Sequence, residues 1–131
     1  MLKNWEKQTH ELTDEEKLKI VPILVSGFKK CVGKTFAYTN YKIKMSLYNN
    51  HGIKTSEPRI RKMIQYIRTH DLVDCIVASG KGYYISHNRE EIESYIDSLQ
   101  KRCNSIEETL GAVKRQFRRR FIDNNDPQKL F

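Results

Sequence analysis

Between Ser56 and Ser86 the chain reads SEPRIRKMIQYIRTHDLVDCIVASGKGYYIS, and the side chains there that could do chemistry are mostly hydrogen-bond donors. Arg59, Lys62, Gln65, Tyr66 and Thr69 recur at three- and four-residue steps, which gathers them on one face of a helix. Arg61 and Arg68 fall at the edge of that face, and Lys81 stands between two glycines further on. Arginine and lysine donate to guanine O6 and N7, glutamine bonds adenine bidentately, and all three can bond phosphate. Such a set supports recognition of a polyanion rather than bond making. Ser56 and the helix N-terminal amides are candidate phosphate contacts, and Lys42, Lys44 and Lys54 are candidates to clamp flanking phosphates. Each has a plainer rival. Gln65 can be merely solvated, Tyr66 can cover aliphatic stems, and Arg61 and Arg68 can pair with Glu57 or Asp71. Tyr83 and Tyr84 fit packing within a hairpin, and Arg118 to Arg120 fit a solvated helix end.

The distribution of charge sharpens this. The 131 residues carry a net charge of +8. Residues 1–27 hold 4 bases and 5 acids, residues 28–86 hold 11 and 3, and residues 87–131 hold 9 and 8. The whole excess therefore falls in the middle segment, the electrostatic footprint expected of a phosphate-binding surface. Catalysis finds little support: there is no glycine-rich phosphate loop, nucleophile elbow or HExxH. Cys31, Cys75 and Cys103 are odd in number and far apart, and the four histidines are scattered. Neither a zinc site nor a disulfide framework is expected, and no cofactor is implied. The start MLKNWEKQ lacks the apolar core of a signal peptide, and no run approaches the ~18 apolar residues that span a bilayer. A reducing cytoplasm is the expected compartment.

The elements that must position these groups can be read from caps and periodicity. Residues 1–12 are expected to be flexible. Thr13 and Glu16 form a capping box, and Leu18, Val21, Val25, Phe28 and Val32 predict a buried stripe on a first helix, kinked at Pro22 and stopped at Gly33. Phe36 and Tyr38 alternate in a connector that could add a small strand. Thr39 or Asn40 caps a second helix to about Asn49, with Ile43 and Leu47 as its core pair. A turn over about Asn50–Thr55 leads to a third helix, Glu57–His70, whose Ile60, Met63, Ile64 and Ile67 should be core. Leu72–Ala78 and Gly82–Ser86 predict a hairpin with Ser79–Gly82 at its tip. His87 or Asn88 then opens a long helix to about Phe121. Along it Ile92, Ile96, Leu99, Cys103, Ile106, Leu110, Val113 and Phe117 step by four and three, a heptad seam. The expected divisions are 13–87 for the first domain, 88–122 for the long helix and 123–131 for a flexible tail.

This order resembles the winged helix-turn-helix superfamily. The resemblance is carried by YTNYKIKMSLYNN as supporting helix, SEPRIRKMIQYIRTH as reading helix and VDCIVASGKGYYIS as wing. The chain is also similar in outline to small winged-helix proteins of bacteriophages and mobile elements. The resemblance implies a mainly α fold with a small β-hairpin wing, and contact with double-stranded DNA through Arg59, Lys62, Gln65, Tyr66 and Lys81. It further implies transcription regulation or organisation of a replication site, in a bacterial cell or an infected bacterial host. Two other functions remain open: a protein-interaction adaptor that does not read DNA, and an RNA-binding module. The seam has two readings as well, a homodimer through the long helix or a fold-back onto the first helix.

Overall fold

The computed structural model describes residues 10–123. The flexible ends expected at 1–9 and 124–131 lie outside the described residues. Residues 10–12 depart from that expectation: Leu12 is buried in the core, and the carbonyls of His10 and Glu11 accept hydrogen bonds from Arg59.

The capping box forms as read. Thr13 N–H donates to Glu16 Oε1 at 2.9 Å, and Glu16 N–H donates to Thr13 Oγ1 at 3.1 Å. The helix it opens begins with a π-helical turn, Glu16–Ile20, in which Val21 N–H bonds the Glu16 carbonyl. Pro22 has no N–H to give Leu18, and it sits directly after this widened turn, as the second residue of α1 (Val21–Phe28). The widened turn also moves the buried face. Leu18 is 80% exposed and Val32 is exposed, while Ile20, Val21, Leu24 and Phe28 are buried. The predicted stripe was out of phase at its start because its count assumed regular 3.6-residue turns. The helix also ends five residues before Gly33.

Val32 and Tyr38, on either side of a 3₁₀ turn (Lys34–Phe36), each make an isolated bridge to the later hairpin. Gly33 N–H bonds the Ile85 carbonyl at 2.9 Å, and Tyr38 and Tyr83 exchange backbone bonds at 3.0 and 2.7 Å. The connector therefore pairs with the hairpin edge, as a split arm rather than a continuous strand.

Thr39 caps α2 (Asn40–His51) by accepting from Lys42 N–H, and Gly52 closes it at φ 65°, a left-handed conformation that glycine adopts without strain. Ile43 and Leu47 are its buried residues. Ser56 caps α3 (Glu57–Thr69), with Pro58 in the first turn. Ile60, Met63 and Ile67 have no exposure and Ile64 2%, so the inner face of α3 forms the centre of the core. Truncating any of the four should cost about 2–5 kcal/mol.

The hairpin is shorter than predicted: β1 (Ile76–Ser79) pairs antiparallel with β2 (Gly82–Ile85), Ser79 opposite Gly82. Asp71 and Cys75 both take positive φ, 55° and 58°, so the segment between them turns instead of extending. Asn88 Oδ1 accepts from Glu91 N–H and opens α4 (Arg89–Arg118), which runs about 45 Å into a second π turn, Arg119–Asp123. The fold is thus mainly α with a small β-hairpin. Its compact units divide at Ile92/Glu93, four residues into α4. The first turn of that helix belongs to the N-terminal unit, where Glu91 accepts from Ser86 Oγ at 2.7 Å and from the Tyr84 hydroxyl at 3.3 Å.

Candidate nucleic-acid interface

Helix α3 sets the geometry of the candidate surface. With its inner face buried, the residues about 180° away point outward. These are Lys62, Gln65 and Thr69, a single row at three- and four-residue spacing, with Arg61 beside it. Gln65 and Thr69 are exposed; Lys62 and Arg61 are half-buried along their stems. Arg61, Lys62 and Gln65 have no side-chain hydrogen bond or ion pair among the described residues. The Thr69 hydroxyl bonds back to the Gln65 carbonyl at 3.0 Å.

Arg59 does not belong to this row. It lies some 100° back toward the core and turns to the N-terminal segment. Its guanidinium donates to both oxygens of Glu16 and to the carbonyls of His10 (3.0 Å) and Glu11 (3.1 Å). The Arg59 and Glu16 side chains are only 14% and 9% exposed. The sequence face predicted Arg59 as a base-reading group, and the structure instead makes it a tie between α3 and the capping box. The reason is simple: a guanidinium that satisfies its donors internally has little left for DNA. Burial pushes the Glu16 carboxyl up, but the bonds from Arg59 and Thr13 outweigh this and hold it below its ordinary value.

Arg68 is likewise engaged. It donates to the Ile76 carbonyl at 3.0 Å and lies 5.8 Å from the centre of the Tyr83 ring, joining α3 to the hairpin rather than to Glu57 or Asp71. Tyr66 is half-buried with one ring face stacked on His70 at 3.9 Å, so its stacking surface is partly used. Ser56 Oγ accepts from Arg59 N–H at 3.4 Å. Pro58 has no amide proton, so the N-terminus of α3 presents few free N–H groups to a phosphate.

Lys42 and Lys44 straddle the buried Ile43, about 200° apart on α2, so one phosphate run cannot take both. Lys54 is exposed in the turn before α3. Lys81 is exposed at the hairpin tip, where its N–H bonds Ser79 Oγ at 3.1 Å. The flanking glycines differ in use. Gly80 has open space where a Cβ would be, whereas Gly82 gives room to the backbone of Tyr38 and not to an outside ligand.

Nine bases of residues 28–86 remain without a side-chain partner among the described residues once Arg59 and Arg68 are set aside. Periodicity could not reveal the two withdrawals, because Arg59 and Glu16 lie 43 residues apart. The capping box was visible in the sequence, but its need for a cation was not. An apolar groove of about 750 Å³ also opens between α1, α2 and the 3₁₀ turn, with Phe28, Phe36 and Leu47 in its wall. Burial raises the thiol of Cys31 at its edge. Among the described residues no His, Cys, Asp and Glu group is placed to hold a metal ion, and no helix is long and apolar enough to cross a membrane.

These features define a mainly helical domain with a hairpin and a basic outer helix face. Compared with family models, with curated proteins and with solved structures, the chain matches none.

Proposed function

We propose that the chain is a binding protein for double-stranded DNA, laying the outer row of α3 into the major groove with Lys81 of the hairpin tip on an adjacent phosphate. One observation carries the reading. A helix backed wholly into the core presents Arg61, Lys62 and Gln65 outward without internal partners, inside the one segment that holds the chain's positive excess. Lys62 and Gln65 supply base-edge donors, and Arg61, Lys54 and Lys81 neutralise phosphates. The role is regulation of transcription or organisation of a replication site of a phage or mobile element, in the bacterial cytoplasm. It calls for binding rather than catalysis.

Duplex binding followed by fluorescence anisotropy tests this. Neutralising three phosphates, one each by Arg61, Lys54 and Lys81, should give a log–log salt slope of about −2.7. Replacing Arg61, Lys62 and Lys81 together with alanine should lower affinity about 100-fold and flatten that slope by about 1.8, the share of Arg61 and Lys81. The double Lys17→Ala/Lys19→Ala control, on the exposed side of the first helical turn, should change little. An unaltered affinity in the triple variant, or a salt-independent one, leaves the adaptor function. Equal affinity for RNA duplexes or single strands leaves the RNA-binding one. Selection from a random duplex pool would report the sequence read.

A further inference from the structure

Helix α4 carries an apolar seam that stands exposed along its length: Ile96, Leu99, Ile106, Leu110, Val113 and Phe117 are all more than a third accessible, Ile106 reaching 68%. A soluble helix rarely leaves such a stripe to water. We infer that its occupant is the same helix of a second chain, and that the two run antiparallel, in full overlap, about a dyad between Asn104 and Ser105.

Charge chooses the partner and its direction. Residues 89–99 hold one base and four acids, net −3, and residues 111–123 hold five bases and one acid, net +4. The helix dipole favours acids at the start and bases at the end, but only within the terminal turns. Glu93, Asp97 and Lys114 lie deeper than that. A parallel pair would set the two basic ends side by side, and the two acidic ends likewise. An antiparallel pair sets each acidic end against a basic one, with Glu93 of one chain flanking the seam opposite Lys114 of the other, twice over by symmetry.

Side-chain volume agrees. In the antiparallel overlap Phe117 meets Ile92, Leu99 meets Leu110, and Cys103 meets Ile106, so the largest and the smallest seam residues each face an isoleucine. The parallel register would stack Phe117 on its own mate and leave Cys103 facing Cys103 in an underfilled layer.

The test needs no DNA, so its outcome is independent of the DNA-binding proposal. A spin label is placed on Ser94→Cys in the full chain, with Cys31 and Cys75 changed to serine and Cys103 to alanine. The antiparallel overlap puts position 94 opposite position 115 of the second chain, an axial separation of about 30 Å. A parallel pair would hold the labels within about 20 Å. Sedimentation of the unlabelled wild-type chain should give a dimer. Lys114→Glu should raise the dimer dissociation constant about tenfold, and adding Glu93→Lys should restore it. A short label distance, a monomeric wild-type chain, or a Lys114→Glu defect that Glu93→Lys leaves unrepaired would each overturn the inference.

Discussion

Arg59→Ala is expected to lower folding stability by about 3–5 kcal/mol, the cost of stranding a buried carboxylate. The Glu16 side chain is 9% exposed and has Arg59 as its charged partner. Without the guanidinium, its charge is left with Thr13 of the capping box as its hydrogen-bond partner among the described residues. The carbonyls of His10 and Glu11 lose their donor too, which frees the segment that seats Leu12. Urea denaturation of the single variants Arg59→Ala and Glu16→Ala and of the double variant checks this. The double variant should lose clearly less than the sum of the singles, because each single change strands what the other removes. Arg59→Lys should recover only part, since one ammonium cannot reproduce the guanidinium's fork across both carboxylate oxygens. The same variant separates packing from recognition. At temperatures where it is folded, Arg59→Ala should keep its duplex affinity, whereas Lys62→Ala should not. A folded Arg59→Ala protein that binds DNA tenfold more weakly would return Arg59 to the contact surface.

The pH dependence follows from the same pair. Glu16 has a folded-state pKa below its ordinary value of 4.5. A carboxyl depressed on folding adds stability above its unfolded value and surrenders it as pH falls through the folded one. The wild-type chain should therefore lose stability progressively below about pH 4.5. Glu16→Gln should be less stable at neutral pH and show a flatter acid limb. An acid limb of equal steepness in both proteins would show that other carboxylates control it.

How far the sequence reached is clearest in α2 and α3. Thr39, Gly52, Ser56 and Pro58 are local signals that act within a turn, so both helices began where they were read and ended within two residues of it. The buried face of α3 was legible because Ile60, Met63, Ile64 and Ile67 keep one period throughout. Phase failed only at the start of the first helix, at Leu18, where a π turn shifts the face and no residue type announces it; Val21 and Phe28 are buried as read. The strands failed at Asp71 and Cys75, whose positive φ is imposed by the way the chain leaves α3 and not by a glycine. In the candidate interface, periodicity assigned a direction to each cation but not the partners that Arg59 and Arg68 find. Lys62, Gln65 and Lys81 kept their outward places. Arg59 and Arg68 were claimed by Glu16 and by the hairpin, through contacts that exist only once distant segments meet.

Gly82→Ala should be as damaging as the loss of Arg59, although it adds one methyl group at a site read as the hairpin tip. Gly82 sits at φ 117°, which L side chains rarely adopt, and a Cβ there would lie 2.3 Å from the carbonyl carbon and oxygen of Tyr38 and 2.5 Å from Thr39 N. Those are backbone atoms held by the paired bonds between Tyr38 and Tyr83, so no side chain can swing aside. Strain of about 1–3 kcal/mol, plus the loss of two hydrogen bonds at about 1 kcal/mol each, gives an expected cost of about 3–5 kcal/mol. Gly80→Ala, two residues away with open space around it and no positive φ, should cost no more than about 1 kcal/mol. The difference has a functional side. The Tyr38 arm and the hairpin form one edge, and Lys81 projects from the turn that this edge holds. Where Gly82→Ala still folds, amide exchange at Tyr38 and Tyr83 should speed up sharply. Duplex affinity should fall toward that of Lys81→Ala, because an unanchored tip must be ordered again on binding. Equal stability of the two glycine variants would mean that the arm does not press on the hairpin, and that Lys81 is placed by the turn alone.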